Sequence, residues 1–353
     1  MCLRVLGGLD HNHPMSATHL PDDLPRIPRL PDPLPWQGAL PLPGLSSIHA
    51  LGPDSASFLH GQLSQDVQNL TPAQARLAAY CSAKGRMLAT SIVLRPSDES
   101  VFLLTSSDVQ APLLKRLSMF VLRARTKLSD ASSQWGIWGL AGDAAQEALE
   151  RLAPGSGADA AWAVRPCQGG QLIRLPAVLG VSRWLWLGER SAAGWLDALP
   201  SLSDVAWSWL DVMSGIPRVQ AATVDRFVPQ MVNFEVVGGV NFQKGCYPGQ
   251  EVVARSQYRG TVKRRAVLMH VDAEALAGQE VFSQADPGQP AGMVIMAAQV
   301  PSEDGRSPCG ASTALVELKL ASLGESISLG APDGPPMQPG TLPYALPSPE
   351  SDA

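Results

Sequence analysis

An α+β fold of two or three domains is what this sequence predicts, on three observations. Hydrophobic residues make up 45% and charged residues 17% of 353 positions, enough to bury a substantial core. Apolar strand-like runs and helix-periodic segments interleave without the regular rhythm of a parallel β-α-β sheet. Beyond Arg265 the chain consists of short apolar runs separated by glycine, proline and acidic turns, the pattern of a small all-β terminal domain.

The elements follow in chain order. Prolines at 14, 21, 25, 28, 31, 33 and 35 remove backbone donors and block helix propagation, so residues 1–35 are expected to be a disordered leader or extended arm. Ile92–Leu94 and Val101–Leu104 flank the turn cluster Pro96–Ser100 and predict an antiparallel strand pair. Ser107 or Asp108 is placed to cap a helix carrying Leu113, Leu117 and Val121 on one face. Asp143 is placed to cap a second, with Ala144, Ala148, Leu149 and Leu152 at helical spacing and Pro154–Gly157 as its stop. Trp184–Leu187 predicts a buried strand. Ala266–Val271, Gly292–Val300 and Thr313–Leu320 are the apolar runs of the terminal β domain, and Leu342–Leu346 is the part of the proline-rich tail able to dock.

Composition excludes several classes. With 27 Lys+Arg against 32 Asp+Glu, a net charge of -5 gives no general footprint for DNA or a membrane surface. Five cysteines, widely spaced and never C-x-x-C, argue against a disulfide framework and a zinc site. Residues 1–30 lack the apolar core of a signal peptide and no later stretch reaches a membrane span, so the expected compartment is the cytoplasm. Gly155-Ser-Gly157-Ala-Asp-Ala160 fits a dinucleotide fingerprint only superficially, because it follows a helix stop instead of a strand. P-loop, H-E-x-x-H and G-x-S-x-G motifs are all missing from the chain.

The informative stretch is Lys244-Gly-Cys-Tyr-Pro-Gly-Gln-Glu251, a cation, thiol, phenol, amide and carboxylate around a glycine- and proline-bent loop. Lys244 and Arg255 near Cys246 favour its thiolate. Spacing alone leaves a packed, inert cysteine as the plainer reading.

The residues around the thiol reverse that balance. This octapeptide, with Pro229-Gln230, Asn233, Val253-Ala-Arg255 and Arg259-Gly260, resembles the signature of YgfZ-type proteins in the YgfZ/GcvT family. Gly52-Pro-Asp54, Phe58–Gln62, Asp66-Val67, Ala78–Met87 and Gly215-Ile-Pro217 are similar to further family segments, so that the likeness spans about residues 40–346. It implies a three-domain aminomethyltransferase-like fold around a central tetrahydrofolate channel, with a small C-terminal β-barrel. The implied units are a folate-binding core over 36–130 and 203–260, an inserted α+β domain over 131–202, a barrel over 261–330 and a partly docked tail over 331–353. The implied role is assembly or repair of iron-sulfur clusters in client enzymes, one of which modifies tRNA. Iron-sulfur clients or assembly proteins would be the partners of a monomer.

The resemblance assigns the working thiol to Cys246 and folate contacts to Trp207, Asn233, Lys244, Tyr247, Gln250, Glu251, Arg255 and Arg86. Two positions depart from the family pattern. Met213 stands where relatives carry a glutamate facing the pterin, with Asp211 two residues earlier, and Leu45 stands near an expected aromatic. The alternative is the glycine-cleavage aminomethyltransferase, which needs a carboxylate on the strand after the first glycine-rich turn; Met87–Val93 offers only hydroxyls. A flavin-linked demethylase lacks a flavin fingerprint here. Arg255, Arg259, Lys263, Arg264 and Arg265 motivate an RNA-binding module, against the plainer reading of a charged strand edge.

Overall fold

Residues 36–258, 262–302 and 305–347 are described by the computed structural model. The expected leader over 1–35, the Arg259-Gly260 pair and positions 348–353 lie outside them. Five α-helices fall within the described residues: α1 (Ser55–His60), α2 (Ser107–Met119), α3 (Gly142–Leu152), α4 (Asp204–Met213) and α5 (Gln250–Tyr258). None is long and apolar enough to cross a membrane.

Two five-stranded antiparallel sheets and a closed six-stranded barrel carry the rest. The first sheet runs in the order Ala75–Cys81, Met87–Ser97, Ser100–Ser106, Leu45–Leu51, Lys127–Asp130. The second runs Gly38–Pro41, Trp135–Ala141, Val181–Glu189, Gly170–Val178, Val164–Cys167. Period-two alternation gives each sheet two apolar faces. Phe102 and Leu104 of the first sheet share one core with Ile173, Leu185 and Leu187 of the second, so the sheets pack face to face. Val101 and Leu103 turn outward beneath α1 and α2, and Trp184 and Trp186 turn outward beneath α3. Covering both faces explains why Trp184–Leu187 reads as one uninterrupted apolar run.

Several expectations need correction in detail. The turn foreseen over Pro96–Ser100 is tighter: Ser97 pairs with Ser100, leaving only Asp98 and Glu99 between the strands. Helix α2 buries Val109, Leu113 and Leu117 but stops at Met119, short of Val121. Neither α2 nor α3 has a side-chain cap. Asp108 instead accepts the amide of Ala221 at 2.8 Å, and Ser106 donates to the carbonyl of Val219 at 2.8 Å, so these polar groups hold the segment after α4. Helix α3 buries Ala145 and Leu149 and exposes Leu152. Gly38–Pro41, expected with the first unit, pairs with Trp135–Ala141 of the second sheet.

The barrel contains Arg264–Val271, Gly292–Pro301 and Pro308–Lys319, and Pro336–Pro339 of the tail closes it against Met269–Val271 and Ile327–Ser328. Closure leaves no open edge for another strand. Arg264 and Arg265, expected at an edge or an RNA surface, are spent on buried acids. Arg264 donates to both Glu317 oxygens at 2.9 Å, and Arg265 pairs with Glu235. Further along the tail, the Tyr344 hydroxyl donates to the carbonyl of Gly215 at 2.7 Å.

Helix α4 joins the layers. Trp209 packs edge-on against Trp36, with ring centroids 5.4 Å apart, and its Nε1 donates to Thr313 Oγ1 in the barrel at 2.8 Å. That hydroxyl lies 2.9 Å from His270 Nδ1. Because the indole can only donate, the hydroxyl proton is free to go to Nδ1, which makes this histidine a neutral acceptor. Burial pushes its imidazole from 6.5 down to about 4. Above 6.5 the imidazole is neutral in both states and its contribution to stability is intact. As pH falls from 6.5 toward 4, the unfolded chain takes up the proton first and that stability is lost, by up to about 3 kcal/mol at 1.36 kcal/mol per pKa unit. Urea denaturation of wild type and His270→Gln across this range should show the extra acid sensitivity in the wild type alone.

Candidate functional site

A cleft opens between the two sheets, floored by α4. Trp207 and Asp211, four residues apart, share the helix face that lines it. Thr90 and Ile92 come from the first sheet, Arg183 and Leu185 from the second, and Trp162 and Arg218 from connecting segments. The space between these walls, mouth included, is about 590 Å³. Gly139 makes room for the indole: a Cβ there would stand 2.8 Å from the Trp207 ring. Leu45 occupies the wall where an aromatic was expected, while Trp36 serves the core beside Trp209.

Apart from Thr90 and Ser91, the polar groups of the cleft gather at one corner. Arg183 is 1% exposed, its guanidinium sits 5.6 Å from the Trp207 ring centroid, and its Nη1 has no hydrogen-bond partner. Burial pushes it down to about 10, which leaves it a cation at neutral pH. Asp211 Oδ1 stands 3.8 Å from that Nη1, and Asp211 Oδ2 accepts from Arg218 at 2.5 Å. Sequence reasoning noticed Asp211 only as a neighbour of Met213 and passed over both arginines. The i, i+4 relation between Asp211 and Trp207 was the available signal. Met213 is buried in the core and does not line the cleft. The carboxylate that lines the cleft is Asp211 of α4, and Met87–Val93 contributes none. Thr90 is itself occupied, its Oγ1 accepting the Val219 amide at 3.0 Å.

The octapeptide forms a second locus. Lys244 is buried and donates from Nζ to the carbonyls of His60 and Leu63, the latter at 2.8 Å. Its ammonium also lies 4.9 Å from the Tyr247 ring centroid, and burial lowers its pKa to about 8. Gly249 adopts φ +79°, and a Cβ there would stand 2.3 Å from the carbonyl oxygen of Ser82 and 2.7 Å from Gly85, so the loop and the Lys84–Arg86 turn touch through backbone. Cys246 is exposed on this clamped loop. Cys81 and Cys167 are buried, which pushes their thiols up to about 12 and about 11.

The structure thus divides the residues named from sequence. Trp207 lines the cleft; the other seven expected folate contacts do not. Asn233, fully buried at φ +59°, donates to the carbonyl of Ala266 at 2.9 Å and accepts its amide at 3.3 Å, stitching its turn to the barrel. Lys244 and Tyr247 shape the loop from within. Arg86 donates to the carbonyl of Arg226. Gln250, half-buried, and Glu251 and Arg255, exposed, stand on α5 immediately after the thiol loop.

Residues 42–191 match the family described as the GCVT N-terminal domain. The tRNA-modifying protein YgfZ of Edwardsiella ictaluri is 35% identical over 271 residues, covering 74% of this chain and 75% of that protein. The YgfZ of Photobacterium profundum is 33% identical, covering 69% and 72%. Among solved structures, the glycine cleavage system aminomethyltransferase T of Bartonella henselae superposes with a TM-score of 0.68 over 88% of this chain and 86% of its own, at 16% identity, a likeness of fold.

The clamp on the thiol loop is open to test. Lys244→Met leaves the buried carbonyl of Leu63 and the part-buried carbonyl of His60 without their donor, at a cost of about 1–3 kcal/mol for the buried one where no water replaces it. The variant should melt at a lower temperature than wild type, and amide exchange should rise within 241–250 while the two sheets stay protected.

Proposed function

The chain belongs to the YgfZ/GcvT family, and on that premise we propose that it binds tetrahydrofolate beside Trp207 and, through Cys246, supports assembly or repair of iron-sulfur clusters in client enzymes. The observation that carries this reading is the cleft itself, a slot between two sheets with Trp207 and Trp162 in its walls and one charged corner. A flat, partly polar heterocycle suits such a slot, because indole faces favour stacked or edge-on rings. Folate would be held by Trp207 and the charged corner, and would supply a one-carbon carrier.

The role of Cys246 rests on its presentation. The loop is fixed by Lys244 and by the Gly85–Gly249 contact, while the thiol stays open to a macromolecular partner. Among the described residues no group of three or more His, Cys, Asp or Glu is placed to hold a metal. One thiolate cannot retain a cluster in the usual four-thiolate manner, so any ligation at Cys246 is shared with the client and transient. An effect on tRNA follows indirectly, through a client that modifies it. The proposed setting is the cytoplasm and the proposed state a monomer.

A second reading, aminomethyl transfer, is favoured by one observation: Asp211 brings a carboxylate into the cleft that Thr90 also lines. That carboxylate is already shared by Arg183 and Arg218, and accepting a proton would disrupt both pairs. Its role is therefore recognition, and transfer chemistry lacks a base.

Titration with tetrahydrofolate should quench tryptophan fluorescence, and Trp207→Ala should weaken binding about tenfold, the equivalent of roughly 1.4 kcal/mol. The protein should form no methylenetetrahydrofolate from an aminomethyl-loaded carrier; robust turnover would restore the transferase reading. Cys246→Ala should abolish rescue of a strain lacking its own family member while the melting temperature stays near wild type. Rescue by that stable variant would remove the cysteine from the mechanism.

A further inference from the structure

The charged corner of the cleft holds a donor and an acceptor that do not bond each other. Arg183 Nη1 is buried and without a hydrogen-bond partner, and the 3.8 Å between it and Asp211 Oδ1 exceeds hydrogen-bond reach. The carboxylate is held from behind by Arg218 on Oδ2, and Arg183 Nε is directed at the carbonyl of Pro176 at 3.4 Å. A guanidinium can only donate and a carboxylate can only accept. Set side by side next to the Trp207 ring, they form a template for the edge of a flat heterocycle that carries an acceptor beside a donor.

We propose that Arg183 and Asp211 together read a 2-amino-4-oxopyrimidine edge, Arg183 donating to the 4-oxo oxygen and Asp211 accepting the adjacent ring N–H. The inference rests on the folate reading of the cleft and adds to it the recognising atoms and a specificity. It also accounts for Met213: the carboxylate expected there is supplied from two residues earlier, on the helix face that Trp207 shares. A 4-amino ring reverses the order, turning an N–H toward Arg183 and a lone pair toward Asp211. Both contacts become repulsive in a corner whose groups are tied from outside, and discrimination by unpaired buried polar groups is steep.

The test is a fluorescence titration of the full chain at pH 8 with three probes: tetrahydrofolate, tetrahydroaminopterin, which differs by a 4-amino group in place of the 4-oxo group, and guanosine, which carries the same amino-oxo edge without the folate body. Wild type should bind tetrahydrofolate at least about 100-fold more tightly than the 4-amino compound. Asp211→Asn, whose amide offers both a donor and an acceptor, should weaken tetrahydrofolate by about 30-fold and cut the discrimination to below about tenfold. Melting temperatures report whether the variant folds, and the wild-type comparison decides the matter without it. Tetrahydrofolate binding with the two pteridines within about threefold of each other would overturn the edge assignment and leave the folate reading standing. Guanosine binding that Asp211→Asn abolishes, with no response to either pteridine, would support the edge assignment and replace folate as the ligand. A wild type that binds none of the three would overturn both.

Discussion

The rest of the molecule depends on the burial of helix α4 around most of its circumference. A helix that is apolar around most of its circumference must be enclosed by other elements, and here the two sheets and the barrel share that task. Trp209 turns one face to the barrel, where Thr313 accepts its indole N–H and links it to His270. Trp207 turns the opposite way and floors the cleft. Two residues of separation thus convert one helix into both the docking element of the terminal barrel and the wall of the candidate binding site. Docking of the barrel and the geometry of the cleft are mechanically one thing.

The cleft contains the groups most costly to its stability. A buried guanidinium loses its hydration, and a neighbouring carboxylate returns that only with good geometry. Arg183 has no such geometry: its nearest acid is too far for a hydrogen bond and one of its donors is orphaned. The arginines of the barrel are matched closely, Arg264 with both oxygens of Glu317 and Arg265 with Glu235, whereas Arg95 Nε and Arg174 Nη1 share with Arg183 the lack of a partner. The barrel pairs hold structure, while the cleft corner keeps a buried donor without a partner beside an acid.

The thiol loop follows a different logic. Most of its motif residues make contacts that build the loop. Lys244 ties it to the end of α1, Gly249 permits backbone contact with Gly85, Tyr247 fills the space beneath, and Asn233 anchors the neighbouring turn to the barrel. Cys246 is left exposed at the crest.

By itself the sequence determined the local features that depend on near neighbours. The hairpin from Met87–Ser97 to Ser100–Ser106, the doubly buried strand around Trp184–Leu187 and the all-β character beyond Arg265 follow from alternation and turn residues. The octapeptide motif likewise pointed to the family. Tertiary structure alone decided which polar groups are free. Asp108 looked like a helix cap and accepts the Ala221 amide instead; Asn233 and Lys244, expected beside a ligand, donate to the carbonyls of Ala266 and Leu63. Arg183 and Asp211 looked unremarkable and meet in the cleft. Periodicity is written in adjacent residues, but the satisfaction of a buried donor or acceptor depends on partners far away in the chain, and only the folded arrangement of sheets around α4 brings those partners within bonding distance.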